Sequence, residues 1–167
     1  MWTLGAMAAE HVFYGENSMG VGGDIQSATW RATRMVGMSG MGPEPLDLRG
    51  RVPKDRLLEV EKDLMERFER IGIQIMNRAR GSGIESDPIA SVLGDPSKRA
   101  AAAQILGQAY ITAVCCIRAN REAVARVAEA LVQRKELYGD EVVELLDAAA
   151  PKPPTIDVLD ERIWPKV

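Results

Sequence analysis

Apolar residues in this chain recur at helical spacing, and the alternating pattern of a half-buried strand is almost absent. Leu57, Leu64, Phe68, Ile71 and Ile75 fall on one helical face, with Glu, Lys and Arg on the other. A second, alanine-rich stretch runs from Ser97 to about residue 133 and puts Ile117, Val124, Ala128 and Leu131 on one stripe, its buried face. Two such helices in one short chain can bury their stripes on each other. The pattern therefore predicts an all-α domain whose two long helices pair as an antiparallel hairpin.

The remaining segments fit around that pair. Residues 3–14 read as a short helix stopped near Gly15. Over 24–38, Ile25, Ala28, Ala32 and Met35 make one apolar stripe. The stretch 37–53 is a connection dense in Gly and Pro, and GSGIESDP (81–88) is a polar loop. IASVLG is a short apolar piece leading to Asp95-Pro96, after which Ser97 is placed to cap the second long helix. Gly139 marks a turn, and Asp140 starts a last helix through EVVELLDAA. From Pro151 the tail is expected to be extended and mobile except where Trp164 docks. The expected organisation is a helical domain, 1–150, and a Pro-rich C-terminal tail, 151–167. No repeat of fixed period is present.

Composition narrows the function classes. At 167 residues, 46% hydrophobic and 27% charged, the chain suits one domain with a real core and is too apolar to be disordered. Twenty-one basic against 24 acidic residues, net −3, point away from nucleic acid as a partner. No apolar run approaches the roughly 18 residues of a membrane span, so direct membrane insertion by this segment is not expected. The start, MWTLGAMAAEH, lacks a basic n-region and reaches a charge at Glu10, which makes a poor signal peptide. Cys115 and Cys116 are adjacent and form no disulfide framework, so a reducing, cytoplasmic compartment is expected.

Few residues carry chemistry. In SMGVGGDIQSAT (18–29) three glycines precede a helix that opens with Asp24. No Lys-Ser/Thr pair follows and no strand precedes, which excludes a P-loop and a dinucleotide fold. An anion here would meet the Asp24 charge as well as the helix dipole. Two readings of Asp24 stay open: a carboxylate that stabilises the first turn, and one placed to hold a cation. His11 is the single histidine and has no chelating neighbour, so a surface or half-buried helix position is expected. Cys115 and Cys116 point about 100° apart on a helix and read as core packing. The mixed charges of RLLEVEKDLMERFER fit a solvated face rather than a carboxylate dyad.

The order of the pieces resembles a known family. AAEHVFYGENSMGVGGDIQSATWRATRMVGMSGMGP looks like the later part of the peptidase domain of FtsH-type ATP-dependent zinc metalloproteases. That family reads Gly-Arg-Ala-Ala-Glu-Glu, then Phe-Gly-Glu, then Ser-Thr-Gly-Ala-x-Asn-Asp-Leu/Ile, then Gln-x-Ala-Thr-x-x-Ala-Arg-x-Met-Val, then Gly-Met-Ser and Leu-Gly-Pro. NREAVARVAEALVQRKELYGDEVVELL resembles the family's closing helices. The match covers residues 5–43 and 117–147, in the family's order.

The resemblance implies the C-terminal portion of an ATP-dependent zinc metalloendopeptidase that degrades protein substrates in quality control. It implies a hexameric homo-oligomer, Zn2+ as cofactor, and a membrane anchor elsewhere in the parent that leaves this domain on the cytoplasmic side. In the family the aspartate of the Asn-Asp turn is the third protein ligand of the zinc, and Asp24 occupies its position. Two histidines and a carboxylate leave a fourth position for water, and the glycines would serve close approach of the backbone. The family's His-Glu-x-x-His helix and ATPase motifs are absent here, and in the family both lie upstream. The expectation is a fragment with no catalytic residue of its own, unable to hold zinc tightly alone and partnered by the ATPase and His-Glu-x-x-His portions of a longer chain. The competing expectation is a degenerate helical homologue acting as an interaction or oligomerisation module. Met19 for threonine, Gly23 for asparagine, Trp30, Thr33 and a longer 72–110 segment depart from the family pattern.

Overall fold

The computed structural model describes residues 2–79 and 89–165, and the expected loop at 81–88 lies outside them. Seven α-helices are described: α1 (Gly5–Tyr14), α2 (Gly22–Ser39), α3 (Leu57–Ala79), α4 (Ile89–Gly94), α5 (Pro96–Ala119), α6 (Arg121–Arg134) and α7 (Gly139–Ala149). Short 3-10 turns at Trp2–Leu4, Met19–Val21, Lys54–Arg56 and Glu161–Ile163 complete the regular structure, and no strand occurs among the described residues. The protein is all-α.

The hairpin of long helices is α3 against α5. Gly72 stands against Ala103 and Gly107 against Phe68, so residue numbers rise along one helix as they fall along the other. The expected stripe on α3 is the buried one: Leu64, Phe68, Ile71 and Ile75 are core, with Leu57 half-buried. α5 is the central helix, packed on α1, α2 and α3. Its buried residues, among them Ala103, Leu106, Tyr110, Ile111 and Val114, are spread around the circumference instead of along one stripe.

By length and apolar composition α5 could cross a membrane, contrary to the sequence reading, although half of that apolar window is buried inside the fold. Gln104, Gln108 and Thr112 break its apolar run and share one half-buried face. Gln108 uses that face to pin the 40–53 connection: its Oε1 accepts from Glu44 N and its Nε2 donates to Glu44 O, each at 2.8 Å.

Two expectations about the second long helix need correction. Its cap is Asp95, not Ser97: the Asp95 carboxylate accepts from the backbone of Ser97 at 2.9 Å and Lys98 at 3.1 Å, with Pro96 opening the helix. The helix also does not run to residue 133, because it breaks at Asn120. There the side-chain Nδ2 donates to Cys116 O at 2.9 Å, competing for a helix carbonyl, and to Lys152 O at 2.9 Å. α6 starts afresh at Arg121 and, apart from Ala123, contributes nothing to the buried core. The proposed buried face Ile117–Leu131 is therefore overturned over α6: Ala128 is exposed, Leu131 is 46% exposed, and only Ala123 of α6 is buried. Leu131→Asp should accordingly shift stability by no more than about 0.5 kcal/mol, the range of ordinary surface substitutions. A fall in melting temperature of many degrees would mean that α6 is covered in solution.

The tail runs extended, and it is tied down well before Trp164. Arg51 pairs with Asp157, and Arg67 grips Glu161 through two hydrogen bonds of 2.8 and 2.7 Å. Arg67 also stacks 4.1 Å from the Trp164 ring, which packs 4.8 Å from Phe68. Ile163 is buried.

Acid should release this strap. Hydrogen bonds from Arg67 hold the Glu161 carboxyl below its usual range, Arg51 and the Leu159 N–H do so for Asp157, and the Arg162 side chain and N–H bring Asp160 down to about 2. Groups with depressed folded values favour docking above the ordinary carboxylate range and lose that contribution as pH falls through the folded values. The tail should thus stay docked at neutral pH and come free as the pH falls below the ordinary carboxylate range, where Asp157 and Glu161 take up protons and release Arg51 and Arg67. The Trp164 indole N–H, which donates to Val158 O at 3.2 Å, reports it by proton NMR. Its resonance should move before those of α5; simultaneous movement would show that apolar packing alone holds the tail.

Candidate functional site

Asp24 is the third residue of α2, in the first turn and half-buried. The start of α2 is held in place from several sides. Gly15, with φ 78°, ends α1 and bonds its N–H to His11 O at 3.0 Å, a conformation glycine adopts without strain. The following loop folds back on α1: Asn17 Nδ2 donates to Met7 O at 2.7 Å, and Glu10 accepts from the Ser18 N–H at 2.8 Å and hydroxyl at 2.7 Å. Those Ser18 bonds, hydroxyl first, hold the Glu10 carboxyl below its usual range. Arg78 of α3 reaches Asn17 Oδ1 at 3.3 Å. Val21 and Ile25, both buried, peg the chain into the core on either side of Gly22, Gly23 and Asp24. Glu10, Asn17 and Ser18 were not singled out from the sequence as a group. Their only signal is a carboxylate and two capping-type residues flanking a glycine stop.

Within this frame the Asp24 carboxylate has no hydrogen-bond or ion-pair partner among the described residues. α2 lacks a side-chain cap, its N-cap position being Val21. The carboxylate is a hard oxygen donor held next to the positive end of a helix dipole.

The glycines show no internal need for glycine. A Cβ at Gly22 or Gly23 would meet nothing within 4 Å, and neither has positive φ. Close approach to another part of this chain therefore does not explain them.

Among the described residues no other His, Cys, Asp or Glu joins Asp24 in a metal-holding group. His11 is half-buried, its ring edge-on to Tyr110 at 6.4 Å, and burial followed by the Arg118 charge lowers its pKa. Burial raises the Cys115 thiol, which sits in the core, and Cys116 is half-buried; neither has a disulfide. No group of three or more His, Cys, Asp or Glu that could hold a metal exists among the described residues. A carboxylate by itself supplies a metal with a hard oxygen donor and leaves the other coordination positions to be filled.

The chain is similar to several ATP-dependent zinc metalloproteases. It is 31% identical over 148 residues to the chloroplastic FTSH 2 of Oryza sativa subsp. japonica, covering 86% of this chain and 18% of that one. It is 30% identical over 156 residues to the chloroplastic FTSH 8 of Arabidopsis thaliana, covering 90% and 19%. It is 26% identical over 160 residues to FtsH 3 of Symbiobacterium thermophilum, covering 96% and 22%. The chain thus spans about a fifth of the length of the curated relatives it matches. No family model matches the chain, and no solved structure matches it significantly.

Proposed function

We propose that this chain, FtsH-like along about nine-tenths of its length, is the helical C-terminal part of the peptidase domain of an ATP-dependent zinc metalloendopeptidase. In this reading α1, α2, α3 and α5 are a scaffold that holds Asp24 as one protein ligand of a zinc ion. The other ligands come from a part of a longer protein outside this sequence. In a site of that kind, the metal supplies activation of a bound water for amide hydrolysis.

One observation carries the proposal: the Asp24 carboxylate has no partner among the described residues, on a helix start pinned by Glu10, Asn17, Val21 and Ile25. A carboxylate kept only for the first turn would not need that bracing. Gly22 and Gly23, which nothing inside the chain requires, leave the space beside Asp24 clear for an outside element.

The rival reading, an interaction module that has lost the metal, is favoured by the apolar residues left exposed on α6 and α7, Leu131, Val132, Val143 and Leu146. In the protease reading the same residues serve contacts between copies in a ring.

The two separate in the full-length protein. It should contain zinc and degrade an unfolded protein substrate only with ATP, and a strong chelator should stop degradation. A zinc-free full-length protein with no such activity would overturn the proposal in favour of the interaction module. The isolated chain should show no sub-micromolar zinc affinity by calorimetry, because one ligand stands where a stable site needs about three or four.

A further inference from the structure

At the elbow between α5 and α6 lies a cleft of about 400 Å3. Its walls come from residues 118–126 and 149–152, and Asn120 ties the two stretches together. Its Nδ2 donates to Lys152 O at 2.9 Å, and Lys152 N donates to its Oδ1 at 2.7 Å. Four basic residues, Arg118, Arg121, Arg126 and Lys152, are among those that line the cleft, with Glu122 the one carboxylate in its wall.

None of the four forms an ion pair within 4.0 Å among the described residues, although ion pairs form elsewhere on the surface. Arg118 donates to Arg162 O at 2.7 Å, and Arg121 donates to Val12 O at 3.1 Å while lying 4.8 Å over the Phe13 ring. These bonds tie the Arg118 guanidinium to the tail and the Arg121 guanidinium to α1, at residues that do not line the cleft, so Arg126 and Lys152 are its cations without such a tether. Four basic residues against one carboxylate give this stretch a local excess of positive charge in a chain of net charge −3, which favours an anion there.

We propose that this cleft binds a phosphate-type oxyanion, either free phosphate or the phosphoryl group of a larger molecule. The Arg126 guanidinium offers paired N–H donors and the Lys152 ammonium a compact positive charge, which together suit a doubly charged tetrahedral anion. The volume lies within the range of small-molecule sites and leaves room beyond the anion itself. The cleft uses no residue assigned to the metal.

The test is a titration of the 167-residue chain, followed by amide NMR at constant ionic strength, with inorganic phosphate in one arm and AMP in another. Saturable shifts should appear at Arg121, Glu122, Ala123 and Lys152, with sodium chloride producing none. Tighter binding of AMP than of phosphate would identify a phosphoryl group on a larger body, and equal binding would identify the free anion. Arg126→Gln with Lys152→Gln should weaken binding about tenfold or more, the loss expected for charge-assisted contacts. Both side chains are exposed, so the melting temperature should not move. Non-saturating shifts, shifts matched by chloride, or undiminished binding by the double variant would overturn the proposal.

Discussion

Gly72→Ala is expected to lower the melting temperature by on the order of 10 °C, or to prevent folding, because it pries apart the helix pair at the centre of the molecule. A methyl group built on Gly72 would overlap the Ala103 carbonyl and stand 2.6 Å from its Cα. The obstacle is backbone, so no rotamer change relieves it. α3 and α5 must separate, and the packing around Phe68, Leu106 and Ile75 opens with them. Overpacking typically costs about 1–3 kcal/mol, and a rigid carbonyl puts this site at or above the upper end.

Gly107→Ala should act in the same way, since its methyl would overlap the Phe68 carbonyl and stand 2.8 Å from that Cα. The two substitutions together should cost clearly less than their sum, because one separation of the helices accommodates both. Gly23→Ala is the control. Its Cβ meets nothing within 4 Å, so gained helix propensity should leave the isolated chain unchanged or stabilise it by up to about 1 kcal/mol. Thermal unfolding of the four variants checks the scheme, and an unshifted Gly72→Ala curve would refute the close crossing.

These glycines explain why the hairpin was legible and its closeness was not. α3 presents one apolar face and one charged face, so its periodicity maps onto burial, and Leu64, Phe68, Ile71 and Ile75 could be read off directly. Glycine inside a helix reads only as a weakening of that helix. That Gly72 and Gly107 permit contact between two backbones is a fact about a partner far along the chain.

α5 defeats periodicity in another way: its buried residues cover more than half of the helix circumference, and the face of Gln104, Gln108 and Thr112 is half-buried, so no narrow stripe marks its partners. α6 does have a stripe, and the stripe misled, since periodicity says that a face is apolar without saying what covers it. The break at Asn120 depends on Lys152, and no local propensity encodes that contact. Of the candidate site, Asp24 stood out through its place in an ordered set of motifs. The Glu10–Ser18 and Asn17–Met7 contacts that brace it cross from one helix end to the next loop, where no repeat reveals them.

Asp24→Ala should separate the two readings of this residue by which quantity it lowers. As a first-turn residue, Asp24 contributes a favourable interaction with the α2 dipole of about 0.3–1 kcal/mol, so the isolated chain should lose at most about 4 °C in melting temperature. Val21, Ile25 and the Glu10–Ser18 bonds hold the helix start without it. In the longer protein proposed above, loss of one of three protein ligands should deplete bound zinc and abolish peptide-bond hydrolysis. ATP turnover and assembly should persist, since the substituted side chain serves neither folding nor nucleotide binding. Asp24→Asn keeps the shape and removes the charge; it should retain stability and lose proteolysis, because a neutral amide is a poor zinc ligand. Three measurements on each variant decide the matter: zinc per chain, proteolysis with ATP, and melting temperature. Normal zinc and normal proteolysis in Asp24→Ala would remove the residue from the metal site and leave it a helix-start carboxylate.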